Sequence, residues 1–289
     1  MTHEELVRGR VEAINTGDFD ALGVVMATDV ITHYASAEAV HGLEALAGLL
    51  ASFSAFSDMV VNIDDLAVEG DFVGARYTSR ARQQGEFLDI PNTGAHVNFT
   101  GASLHRIKDG EIAEVWTVDD WAALVRQVRA GRLPDSTSVP RDVRRDANPK
   151  MVEHSKRVVS HSIDLANARA FELLSEDWAL DATVHGSSDL EDISGLDSYV
   201  TLLKSFYAGI PDLTVHIEDA VGEGNAVFLR TTNDGTHTGE LFGVPGSGRR
   251  VSFQGIATYY LDQGKIVHQW VSDDIYSLKK SILAVAAIG

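Results

Sequence analysis

The chain has no cysteine among its 289 residues. That excludes disulfides, thiolate metal sites and cysteine nucleophiles. Proline is scarce, six in all, and three of the six fall in one stretch, residues 131–150. Basic residues are few: 24 Lys and Arg stand against 42 Asp and Glu, a formal charge of −18. That balance repels nucleic acid and anionic membrane surfaces, and no Lys/Arg cluster offers the basic footprint such partners need. No apolar run approaches a membrane span. Met1-Thr2-His3-Glu4-Glu5-Leu6 has neither the basic nor the apolar region of a signal peptide. The expectation is a cytoplasmic protein with no nucleic-acid or membrane partner. The histidines show no His-Glu-x-x-His spacing, and no Gly-x-Ser-x-Gly is present. Gly-Val-Pro-Gly-Ser-Gly at 243–248 lacks the Lys-Ser/Thr and the following helix of a phosphate loop. Neither a metal nor a cofactor is expected.

What is there is an ordinary globular composition, 44% hydrophobic, used twice. Residues 3–16 carry Leu6, Val7, Arg10, Val11 and Ile14 on one helical face, and Asn15-Thr16-Gly17 ends the helix. Asp18 is placed to cap a second helix to about Thr28. A short strand at 30–34 follows, then a third helix at about 43–56. Four alternating stretches, about 59–68, 71–84, 96–107 and 111–119, read as strands, and 120–130 reads as a closing helix. Three helices, a mainly antiparallel sheet and a helix make an α+β unit. The proline-rich stretch has no periodicity and reads as a linker. The division is 1–131, linker 132–149, and 150–289, which repeats the programme.

The repeat is gapless over much of its length. Adding 154 takes Val61 to Val215, Arg76 to Arg230, Gly101 to Gly255, Trp116 to Trp270, Asp119 to Asp273 and Asp120 to Asp274. Upstream, with small changes of offset, His33 matches His185 and Gly42 matches Gly195. A period this long marks duplication of a whole domain, not a solenoid.

The most chemical stretch also occurs twice. Residues 110–120 and 264–274 are each an alternating strand after a turn signal, each closing on a Trp and two Asp. With Asp109-Gly110 as a two-residue hairpin turn, opposed residues sum to about 219, so Ser103 faces Trp116 and Phe99 faces Asp120. Alternation then puts Phe99, Gly101, Ser103 and His105 on one face with Glu114, Trp116 and Asp120. In the second half, Phe253, Gly255, Ala257 and Tyr259 share a face with His268, Trp270 and Asp274. Covered by the helices, that face would enclose an apolar cavity with one carboxylate, the usual form of a small-molecule site. Burial beside aromatic rings raises a carboxyl pKa and suits it to proton transfer. The plainer alternatives stay open. Asp120 and Asp274 also sit where an N-cap belongs. Trp116 and Trp270 also fit core packing, and His33 and His185 fit structural strand ends. Arg76 and Arg230 serve equally as buried ion-pair partners or anion clamps. His105 has Tyr259 as its counterpart, and His237 has Gln83.

Residues 210–283 resemble SnoaL-like polyketide cyclases, in the nuclear-transport-factor-two-like superfamily. The resemblance lies in Ile210-Pro211-Asp212-Leu213, Arg230, Gly235-Thr236-His237-Thr238-Gly239-Glu240, Gly243-Val244-Pro245, Gly248 to Val251 and Asp262 to Asp274, with His185 and Gly195 upstream. In the first half Ser57-Asp58, Arg76, Gly85-Glu86, Ile90-Pro91, Gly94 and Asp109 to Asp120 match, while Ala81-Arg82-Gln83-Gln84-Gly85 stands where the second half has the Gly-Thr-His segment.

The resemblance implies two tandem cone-shaped α+β barrels, each a curved, mainly antiparallel sheet wrapped around helices. It implies cofactor-free acid/base catalysis on a hydrophobic carbonyl compound, with intramolecular aldol ring closure. Asp274 and Asp120 match the family's acid/base, and His185, His237 and Arg230 are candidates to stabilise an enolate. Trp270, Trp116, His33, Phe253, Tyr259, His105 and Arg76 are candidates for substrate contacts. Because family members pair as homodimers, the resemblance implies an internal pseudo-dimer and leaves a further homodimer open. It favours the second half as the active one. The superfamily also holds epoxide hydrolases, dehydratases, isomerases and non-catalytic binders, and these remain alternatives.

Overall fold

The structure, a computed structural model of the chain, describes residues 1–35, 37–52, 54–133, 145–146, 148–186 and 191–283. These fall into two compact units, 1–133 and 145–283. Most of the expected linker, including Pro134 and Pro140, lies outside the described residues.

Unit 1 begins with helix α1, His3–Thr16. Thr2 caps it reciprocally: its hydroxyl accepts the Glu5 N–H, and the Glu5 carboxylate accepts the Thr2 N–H. Gly17 ends it in the left-handed region, φ 68°. The expected second helix is only a 3-10 turn, Phe19–Val24, because strand β1, Met26–Tyr34, draws the following residues into the sheet. The short β2, Val40–His41, precedes α2, Leu43–Ser52. Four long strands follow: β3 Phe56–Glu69, β4 Phe72–Gln83, β5 His96–Lys108 and β6 Glu111–Asp119. Helix α3, Trp121–Ala130, closes the unit.

Unit 2 repeats this as α4 Val152–Asn167, β7 Trp178–His185, β8 Ile193–Ser194, α5 Leu196–Gly209, β9 Thr214–Glu223, β10 Ala226–His237, β11 Arg249–Asp262, β12 Lys265–Asp273 and α6 Ile275–Leu283.

The sheet orders are β2-β1-β6-β5-β4-β3 and β8-β7-β12-β11-β10-β9. Each sheet is mixed: β1 runs parallel to β6, β7 runs parallel to β12, and the other neighbours are antiparallel. The expected α+β arrangement, a mainly antiparallel sheet with helices in each of two tandem units, is present, and each sheet is open at its ends. The two-residue strands β2 and β8 end one side, and β3 and β9 end the other.

One device fastens helix to sheet in both units. The Asn15 amide mimics a strand partner, giving its N–H to the Val61 carbonyl at 3.0 Å and accepting the Val61 N–H at 2.7 Å. Asn167 does the same with Val215 at 2.9 and 2.8 Å. The helices therefore correspond at an offset of 152, against 154 in the sheet.

Candidate functional site

The β5–β6 hairpin decides which side chains face the helices. Asp109 and Gly110 take φ of 53° and 83°, as a tight two-residue turn requires. Lys108 pairs with Glu111 and Ile107 with Ile112, in the register read from the sequence. Then the register slips: Arg106 pairs with Glu114, leaving Ala113 as an extra residue. Unit 2 slips at the same place, where Leu261 pairs with Ile266 but Tyr260 with His268. Because side chains alternate with period two, one extra residue turns every later side chain to the opposite face.

Asp119 and Asp273, not Asp120 and Asp274, therefore share the inner face with Gly101 and Gly255. Asp120 accepts the Ala123 N–H at 2.9 Å and caps α3, and Asp274 accepts the Ser277 N–H at 3.0 Å at the start of α6. Their assignment to the cavity is overturned by the bulge. The two glycines are what admits the inward carboxylates. A Cβ on Gly101 would lie 2.6 Å from Asp119 Oδ1, and one on Gly255 would lie 2.1 Å from Asp273 Oδ1.

The same reversal moves both tryptophans to the outer face. His33 stacks on Trp116 at 5.4 Å and bonds Glu114 at 2.8 Å, and Glu114 also takes Arg106. His185 stacks on Trp270 at 4.0 Å, with Asp192 at 2.9 Å from Nδ1 and His268 at 3.3 Å from Nε2. Arg76 and Arg230 lie on that face too, as ion-pair partners of Asp64 at 3.3 Å and Asp219 at 2.7 Å. His33, His185, Trp116, Trp270, Arg76 and Arg230 are thus not gathered with the inner carboxylates.

Phe253, Tyr259 and His237 do face inward. His237 ends β10 and accepts the Ser247 N–H at 3.3 Å, fixing the turn at 246–248. Gln83 does the matching work in unit 1 by accepting the Thr93 N–H at 2.9 Å. Their equivalence is in anchoring a loop.

In unit 1 the inner face borders a cavity of about 110 Å³. Its walls are mainly apolar, among them Val7, Val11 and Ile14 of α1, Leu50 of α2, Ile63 and Phe99 of the sheet, and Trp121 and Leu124 of α3. Into it project Arg10, Tyr34, Tyr77, His105, Thr117 and Asp119. Tyr77 donates to Asp119 Oδ1 at 2.8 Å, and its hydroxyl lies 2.7 Å from Thr117 Oγ1. Burial drives the Asp119 carboxyl up to about 6; the Tyr77 bond and the Arg10 charge restrain the rise, and Asp120 adds to it. His105 is pushed down to about 3, first by burial and then by Arg10. It is therefore neutral at pH 7, with Nδ1–H given to the Val73 carbonyl at 3.2 Å, so its Nε2 is a bare acceptor.

Unit 2 keeps the carboxylate and changes its neighbours. Burial, with the Asp274 charge second, pushes Asp273 up to about 7. Ser162 stands where unit 1 has Arg10, and it accepts the Trp178 indole N–H at 2.6 Å. Trp178 packs on Tyr199 at 4.6 Å and Tyr259 at 6.4 Å, and Gln269 gives its amide to the Tyr259 hydroxyl at 2.9 Å. Among the described residues no group of three or more acidic or histidine side chains is placed to hold a metal ion. No described helix is long and apolar enough to cross a membrane.

The residues that sequence reasoning missed are Asp119, Asp273, Arg10, Tyr34 and Tyr77. A glycine recurring mid-strand opposite an Asp, at 101 and 255, was the available signal for the first two.

A mixed six-stranded sheet with helices on one face is the fold of the nuclear-transport-factor-two-like class. Within that class the chain belongs to the SnoaL-like polyketide cyclase family, whose pattern matches residues 4–128 and again 156–282. Similar solved structures are single copies of this unit. A candidate SnoaL-like polyketide cyclase from Jannaschia sp. CCS1 is 19% identical, with a TM-score of 0.45 over 49% of this chain and 99% of that one. IdmH, a candidate polyketide cyclase from Streptomyces antibioticus, is 28% identical, with a TM-score of 0.40 over 43% and 96%. AclR, a candidate hydroxylase from Streptomyces galilaeus, is 24% identical, with a TM-score of 0.42 over 45% and 96%. No curated protein sequence matches the chain.

Proposed function

We propose that the protein is a cofactor-independent acid/base enzyme acting on a hydrophobic carbonyl compound, with Asp119 of unit 1 as its proton-transfer group. The observation that carries this reading is the Asp119 carboxyl, set in an apolar cavity, oriented by Tyr77 and pushed up to about 6. A base is most effective when its pKa lies near the working pH. Family membership points to intramolecular aldol ring closure of a polyketide ester.

In that reaction Asp119 removes a proton alpha to a carbonyl, leaving the electron pair as an enolate. The enolate carbon forms a bond to a second carbonyl of the same molecule. The new alkoxide takes the proton back from the Asp119 carboxyl, so the product is an isomer and no proton is gained or lost overall. Arg10 is the positive group facing the developing oxyanion. A folded substrate held between α1 and the sheet would gain from proximity. Asp273 is a second carboxyl of the same kind.

The epoxide-hydrolase alternative needs an Asp–Arg–Asp or His–Asp relay, for which Arg230 with Asp274 was a candidate pair; Arg230 binds Asp219, and Asp274 caps α6. The test is turnover of a panel of anthraquinone-type polyketide methyl esters, read by absorbance and mass, with wild type, Asp119→Asn and Asp273→Asn. A ring-closed isomer that disappears with Asp119→Asn supports the reading. Binding that is equal in all three proteins, without turnover of any ester, would replace it with a carrier that sequesters a small apolar molecule.

A further inference from the structure

The unit 1 cavity holds a cation that no described wall residue hydrogen-bonds, although its charge is felt by Asp119. Arg10 stands on the apolar face of α1 and is 8% exposed. Its Nε has no hydrogen-bond partner, and its guanidinium forms no ion pair among the described residues. Arg76 and Arg230, on the sheet's other face, each have a carboxylate. A buried cation with no hydrogen-bonded counter-ion is costly, and an anion supplied from outside would relieve that cost.

The nearest internal carboxylate, Asp119, interacts with Arg10 through charge but receives no hydrogen bond from it. Asp119 is the only carboxylate among the residues lining the cavity, and it takes its hydrogen bond from Tyr77. Two more polar atoms in the same lining are also unpartnered, the Tyr34 hydroxyl and His105 Nε2. Tyr34 can donate to the same anion as Arg10. A guanidinium fork matches the two oxygens of a carboxylate, and such charge-assisted bonds are about twice as strong as neutral ones. The remaining walls, including Val11, Ile14, Phe99 and Leu124, suit a flat apolar body.

Unit 2 supplies the internal comparison. With Asn15 and Asn167 anchored alike, the residue matching Arg10 is Ser162, which is occupied by the Trp178 indole. The position that carries the cation in unit 1 carries a neutral serine in unit 2.

We propose that the unit 1 cavity is a binding site for organic acids, in which Arg10 and Tyr34 receive the carboxylate of a flat apolar ligand. This concerns binding and stands apart from the proton-transfer reading. The experiment is calorimetric titration of the full chain with 2-naphthoate and, separately, with methyl 2-naphthoate, at about pH 7.5. The two probes share a ring system and differ in charge. Naphthoate is expected to bind at least about tenfold tighter than the ester. Arg10→Met should remove that preference, while Ser162→Met should leave both affinities as in wild type. Asp119→Asn should strengthen naphthoate binding by removing a nearby negative charge, whether or not that variant has lost a turnover. Equal affinities in wild type would overturn the proposal. So would a preference that survives Arg10→Met, or no saturable binding of either probe. The wild-type acid-to-ester ratio decides even if Arg10→Met does not fold.

Discussion

In unit 1 the helix residue turned toward the sheet's carboxylate is Arg10, and the carboxylate itself is held by Tyr77. In unit 2 the corresponding residues are Ser162 and Thr231, and the interior is taken up by the Trp178, Tyr199 and Tyr259 rings. The frames are alike down to the helix-anchoring asparagines, the hairpin bulge and the mid-strand glycine. The difference teaches that duplication preserved the machinery that places one carboxyl inside, while the residues that would act with it diverged. A residue recurring in both halves, such as Asp119/Asp273, is then frame and candidate chemistry together. A residue present once, such as Arg10, is what gives its unit a separate task.

The sharpest way to break this comparison is to remove one carboxyl at a time. Asp119→Asn should lower turnover of a cyclisable ester by about 100-fold or more, the usual range for a lost acid/base group. Asp273→Asn should lower it much less, by single-turnover measurement under the same conditions. Equal losses would mean that both units work alike and that the polar ring of unit 1 is incidental.

Next in size is the glycine that admits each carboxyl. A methyl group at 101 would meet the Tyr77 ring at 2.5 Å as well as Asp119, whereas at 255 it meets chiefly the Asp273 carboxylate. Gly101→Ala should therefore cost about 1–3 kcal/mol in urea unfolding, and Gly255→Ala less.

A comparable effect separates the carboxyls by pH. Both are raised in the folded state, to about 6 and about 7. The folded protein then binds more protons than the unfolded chain between the ordinary carboxyl value and these pKa values. Stability from these groups is greatest below pH 4 and falls as pH rises through 6 and 7. Removing the charge should therefore stabilise at pH 8. Asp273→Asn should gain on the order of 2 kcal/mol and Asp119→Asn less, since Tyr77 and Arg10 already favour its ionised form. At pH 4 both gains should vanish in thermal melts.

The smallest effects test the outer aspartates. Asp120→Ala and Asp274→Ala each lose an N-cap and should cost about 1 kcal/mol, with turnover kept. If either abolishes turnover while its inner neighbour does not, the assignment of faces is reversed.

Much of the fold was legible in the sequence. The duplication, the hairpin turns, the helix ended by Asn15-Thr16-Gly17 and the closing helix after Asp120 all rest on local chemistry that a sequence displays. The 3-10 turn at Phe19–Val24 was hidden because its helical pattern yields to parallel pairing of β1 with β6, a non-local contact. The site was misread for one reason. A bulge at Ala113 leaves no mark in an alternating pattern, so counting back from the turn put the wrong Asp inside. Arg10 was visible on the inner face of α1 but looked like part of the helix stripe. Only its lack of a partner, which needs three dimensions, makes it a candidate for binding.

The most direct test needs no substrate. Carboxyl carbon NMR titration of wild type, Asp119→Asn, Asp120→Asn, Asp273→Asn and Asp274→Asn follows each raised aspartate by its resonance. Two aspartates should titrate near pH 6 and 7 in wild type, one vanishing with Asp119→Asn and the other with Asp273→Asn. Both should persist in Asp120→Asn and Asp274→Asn, with the second moving downward when the Asp274 charge is removed. Raised resonances that survive loss of Asp119 and Asp273, but disappear with Asp120 and Asp274, would contradict the placement on which the proposed chemistry depends.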